Sequence, residues 1–65
     1  MYKGVKQAIC IEREFLDGNL NRMMVADSER ELRDMFAFAV ERLITLRNLN
    51  FQRLVEEKEF KESGN

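Results

Sequence analysis

The chain has no proline, no histidine and no tryptophan, only three glycines, and a single cysteine, Cys10. Each shortage excludes something. Without proline no residue blocks a helix sterically, and between Ala26 and Ser63 there is no glycine either. Without histidine the chain lacks the one side chain that ordinarily titrates near neutral pH. A zinc site would have to be assembled from carboxylates and one thiol, a poor set of ligands for that ion. The lone thiol cannot form an internal disulfide, and no imidazole is present to activate it as a nucleophile. The expectation is a non-enzymatic protein with no metal and no cofactor.

Long hydrophobic runs are missing as well. No segment approaches the roughly 20 apolar residues of a membrane span, and Met1-Tyr2-Lys3-Gly4 opens without the features of a signal peptide. The formal net charge is −1 and the pI is near 5.4, without the basic excess of a dedicated nucleic-acid binder. An unpaired thiol suits a reducing compartment. The expected location is cytoplasmic, with no membrane attachment.

What is present is a mixture of 45% hydrophobic and 35% charged residues, the composition of a folded chain. Residues 1–65 make one small helical domain. A chain this short buries only about 60% of the surface its unfolded form exposes. Small domains compensate with disulfides, a metal or oligomerisation, and only the last is open here.

Tyr2 to Leu16 reads as an amphipathic helix. Lys3, Lys6, Gln7, Arg13, Glu14 and Asp17 lie on one side, and Tyr2, Val5, Ala8, Ile9, Ile11, Phe15 and Leu16 on the other. Asp17-Gly18-Asn19 is a helix-stop signal. An alternative reading keeps a β-hairpin ahead of one long helix, because Ile9, Ile11 and Phe15 also alternate and Asp-Gly favours hairpin turns. On that reading a strand from Ala8 to Leu16 pairs with Leu20 to Ala26. The helical wheel separates the charges better. Asn19 to Asp27 forms an apolar linker, either a short helical continuation or a segment packed across the end of the bundle.

Ser28 and Glu31 form a capping box, with the serine oxygen and the glutamate each expected to accept from the other's backbone N–H. The second helix should run from Glu29 to about Lys61, with 56–65 a charged, fraying tail. Its polar stripe is narrow: Arg30, Asp34, Glu41, Thr45, Asn48, Gln52 and Glu59. The apolar side chains from Leu32 to Val55 cover roughly 260° of arc, where a surface helix needs little more than about 100°. One row, Leu32, Phe36, Val40, Leu43, Phe51 and Leu54, recurs at near eleven-residue spacing, which favours a straight helix. A second row is Met35, Phe38, Ala39, Leu46 and Leu49. Such girth calls for two packing partners.

The fold expected is therefore all-α: a helical hairpin with a short N-terminal and a long C-terminal helix, assembling as a dimeric bundle. Met35, Phe36, Ala39, Val40, Leu43, Leu46, Phe51 and Leu54 are the expected oligomer interface. Arg30, Arg33, Arg42, Arg47 and Arg53 are candidate contacts to a partner or ligand, since guanidinium groups clamp carboxylates and phosphates. The alternative is that they lie over apolar neighbours and pair with Glu41, Glu56 or Glu57. Glu12, alone on the apolar side of its helix, either acts as an acid or pairs with an arginine. Asn50 either sets register between helices or is exposed. A carboxylate metal site from Glu12, Asp34 and Glu41 lacks the histidines of ferritin-like bundles and is set aside.

Ser28-Glu29-Arg30-Glu31-Leu32-Arg33-Asp34 loosely resembles the Ser-x-Glu-Leu-Asp signature of the small helical-hairpin aspartyl-phosphate phosphatases of sporulation control. The serine stands one residue too far from Glu-Leu, and arginine replaces the aspartate after leucine. The capping box accounts for most of the match, and membership does not follow; a phosphatase acting through Asp34 would need Asp34→Asn to abolish a measured activity. The function expected is that of a small homo-oligomeric adaptor, regulator or inhibitor, binding itself and another cytoplasmic protein. The alternative is a helical dimer that binds nucleic acid or a nucleotide through its arginines.

Overall fold

The computed structural model describes the backbone of residues 2–63, and the side chains of these apart from Tyr2, Phe60, Glu62 and Ser63. It contains two α-helices, α1 (Tyr2–Met24) and α2 (Glu29–Ser63), and no strand among the described residues. The β-hairpin reading is thereby excluded. The helices pack side by side in a rod with principal extents of 55 × 14 × 13 Å. With only residues 25–28 between them they must run antiparallel. The cross-hairpin pair Glu12–Arg42 marks their register.

The expected stop at Asp17-Gly18-Asn19 is corrected: α1 continues through it to Met24. The reason is burial. Val5, Ile9, Glu12, Leu16, Asn19 and Met23 recur at alternating four- and three-residue steps, and all are buried or half-buried against α2. Ending the helix at Leu16 would forfeit the last two of these contacts, which outweighs the propensity cost of glycine at about 1 kcal/mol. Gly18 has no positive φ, and a Cβ built on it meets nothing within 4 Å. Gly18→Ala should therefore stabilise the chain by about 0.5–1 kcal/mol, seen as a higher denaturant midpoint by circular dichroism.

The true turn is short. Val25 N–H donates to Arg22 O and Ala26 N–H to Met23 O, both at 3.3 Å, tightening the last turn of α1. Ser28 then caps α2: Glu31 N–H donates to Ser28 Oγ at 3.1 Å, and Leu32 N–H to Ser28 O at 3.0 Å. The reciprocal half of the box is shifted by one residue. Glu31 Oε2 accepts from Asp27 N–H at 3.5 Å rather than from the serine. Glu29 and Glu31 place negative charge at the positive end of the helix dipole, and Lys61 lies near its negative end. The helix runs to Ser63, two residues past the expected end. Of the tail expected to fray, 56–65, residues 56–63 are helical, while Gly64 and Asn65, like the side chain of Tyr2, lie outside what is described.

On α2 the residues turned toward α1 are Met35, Ala39, Arg42, Leu46, Leu49, Arg53 and Glu56, all buried or half-buried. They repeat at the same alternating steps, the spacing of a coiled-coil seam. The second sequence row, Phe38 apart, is thus the inner one. The core is thin: among described hydrophobic residues only Val5, Met35 and Ala39 are buried.

Candidate functional site

The inner row leaves the other row in water. Leu32, Phe36, Val40, Leu43, Phe51 and Leu54 are 37–60% exposed. With Arg47 they advance along α2 by steps of four, four, three, four, four and three residues, an eleven-residue repeat that holds its bearing on a nearly straight helix. Ile44 and Val55, also exposed, widen the stripe. Two apolar stripes with different periods therefore share one helix, and α1 covers one of them.

Of the residues expected to mediate association, Met35 and Ala39 are buried against α1 and Leu46 is half-buried there. Phe36, Val40, Leu43, Phe51 and Leu54 stand open. The total accessible surface is 5469 Å². A compact monomer of 7.7 kDa would expose about 4,300 Å² by the usual size scaling.

The arginines are mostly engaged within the chain. Arg42 Nη1 donates to both oxygens of Glu12, at 3.2 and 2.9 Å. Its guanidinium also lies over the Phe15 ring, 4.7 Å from the centroid. Glu12 is thus the arginine-paired carboxylate of the two readings. With side chains 39% and 19% exposed, the pair is screened by solvent and contributes on the order of 1 kcal/mol or less. Its larger effect is on register, because sliding one helix by a turn would strand a half-buried carboxylate. Arg53 Nη1 donates to both oxygens of Glu57 at 3.0 Å, and Arg53 Nε to Asn50 Oδ1 at 2.9 Å. Asn50 Nδ2 donates in turn to Leu46 O at 2.8 Å, so this half-buried amide is satisfied within α2. Arg33 pairs with Glu29 at 2.7 Å, with both side chains about three-quarters exposed. Arg47 Nε and Nη2 donate to Asn48 Oδ1 at 3.4 and 3.3 Å. Arg30 is exposed, in none of these pairs. The five arginines do not converge on one site.

Asp34 and Glu41 are exposed on α2 and, by wheel angle, face away from Glu12. No group of three metal-ligating side chains gathers among the described residues. Cys10 is exposed and borders an open depression of about 250 Å³ with Arg13, Glu14 and Asp17. No helix among the described residues is long and apolar enough to cross a membrane.

The outer stripe was legible in the sequence as a row. What the sequence did not reveal is the second patch around Arg42, where Ile11, Phe15 and Phe38 are 46–52% exposed. Phe38 stands one turn before Arg42 on α2, and Ile11 one turn before Phe15 on α1, so the four form a cluster. Comparison with models of known families, with curated proteins and with solved structures finds no match.

Proposed function

We propose that the chain is a small, non-enzymatic homo-oligomer, most simply a dimer, that works in the cytoplasm as an adaptor, regulator or inhibitor by binding another protein. The observation that carries this reading is the uncovered apolar stripe of α2 from Leu32 to Leu54, with its eleven-residue repeat. Monomeric proteins rarely leave so long an apolar surface in water, and one rimmed by charge marks an interaction site. The wheel puts the cluster of Ile11, Phe15, Phe38 and Arg42 on the opposite side of α2 from the stripe. One surface thus suits self-association while the other remains available for a target. An arginine stacked on an aromatic ring is the kind of anchor that protein interfaces favour.

The alternative, phosphate recognition through the arginines, has less support. Four of the five already donate to acceptors of their own chain, and the formal net charge is −1. Salt separates the two readings. Self-association through an apolar stripe should survive a rise from low to high salt nearly unchanged. Binding of a single-stranded oligonucleotide through several arginines should weaken steeply, because phosphate contacts release counterions. Oligonucleotide binding that falls steeply with salt, together with salt-sensitive self-association, would favour the alternative.

A further inference from the structure

We infer that the occupant of the outer stripe is a second copy of this chain, docked α2 against α2 in the antiparallel sense, with Leu43 on the twofold axis. The inference rests on the homo-oligomer reading above and adds its register.

The stripe is nearly palindromic. Read outward from Leu43, it meets Val40 on one side and Arg47 on the other, then Phe36 and Phe51, then Leu32 and Leu54. Opposite members stand at matching distances to within one residue. A twofold contact requires this pattern, since residue i meets j while j meets i. Antiparallel docking sets Phe36 against Phe51 of the second copy, an aromatic pair, and Leu32 against its Leu54.

Charge favours the same antiparallel arrangement. One step beyond the palindrome at either end stand Glu29 and Lys58, on the same bearing of the helix. Antiparallel docking brings each Glu29 to the Lys58 of the other copy, and Arg47 against its Val40. Parallel docking would stack Glu29 on Glu29, Arg47 on Arg47 and Lys58 on Lys58. Like charges opposed across an interface disfavour that arrangement.

The exposed area is also sufficient. The chain exposes roughly 1,100 Å² more than a compact monomer of its mass. A standard interface removes about 800 Å² from each partner. The surplus reflects the 55 × 14 × 13 Å shape of the rod, whose long side leaves room for one such contact.

Disulfide trapping tests the register. In a Cys10→Ser background, Glu29→Cys and Lys58→Cys variants are prepared separately, mixed in equal amounts, and oxidised. Both positions are exposed, so neither change removes core. The mixed disulfide between the two variants should exceed either homodisulfide by roughly tenfold, as a single closed twofold register requires. Homodisulfides in excess would establish parallel docking, overturning the register while leaving self-association intact. A dimer by sedimentation that yields no disulfide would place the contact on another face and overturn the inference. A folded monomer would overturn both this register and the oligomer reading.

Discussion

Leu43→Asp should dissociate the proposed dimer. On the proposed twofold axis one substitution removes two leucines from the interface, each 53% exposed in the lone hairpin, so docking buries about half of each side chain, at about 0.8–1.5 kcal/mol apiece. Their sum is roughly 1.5–3 kcal/mol, and every 1.4 kcal/mol is tenfold. Dimerisation should therefore weaken by at least about tenfold, before adding the repulsion of two facing carboxylates. In a solitary hairpin the same substitution falls on a side chain that is 53% exposed. Surface changes of that kind ordinarily stay within about 0.5 kcal/mol. The two situations predict opposite results at micromolar concentration. Loss of helical circular dichroism is expected together with loss of mass, since among the described residues only three hydrophobic side chains are buried and the proposed partner would supply the missing stability. Gln52→Asp carries the same helix-propensity penalty on the polar stripe and should leave association unchanged. If Leu43→Asp stays folded and associated, the outer stripe is not the interface.

Met35→Ala acts on the other stripe and on folding itself. Met35 is 9% exposed in the seam between the helices. Truncating a buried methionine costs about 2–5 kcal/mol, depending on how far the cavity collapses. A domain of this length commands only about 3–10 kcal/mol in all. The variant should be largely unfolded at 25 °C or melt far below the parent, by thermal circular dichroism. A loss below 1 kcal/mol would mean that Met35 is not in the core. Phe36→Ala, one residue away but facing outward and 58% exposed, should instead act by weakening the proposed dimer, so that its loss of helix is offset as the protein is concentrated.

These residues also show how far the sequence could be read. The start of α2 was plain because a capping box is local: Ser28 and Glu31 satisfy backbone donors within a single turn. The length of α2 followed from the absence of breakers. The end of α1 was misread because Asp17-Gly18-Asn19 is a local stop signal, overridden by contacts of Asn19 and Met23 with a helix far along the chain. Both apolar rows of α2 were visible by period alone, yet either could have faced α1. Arg42 decides between them. It is in phase with Met35, Ala39 and Leu46, while Glu12 is in phase with Val5, Leu16 and Met23. Only the inner row, in this register, joins the two charges. Met35, Ala39 and Leu46, expected at the oligomer interface, lie against α1; wheel geometry does not distinguish a partner within the chain from one outside it.

Sedimentation equilibrium on the unmodified chain at low micromolar concentration bears most directly on whether the second greasy side of the long rod is closed by its own kind. The expected mass is twice 7.7 kDa, relaxing toward the single-chain mass only on strong dilution. A helical species that holds at 7.7 kDa over the whole concentration range would contradict it.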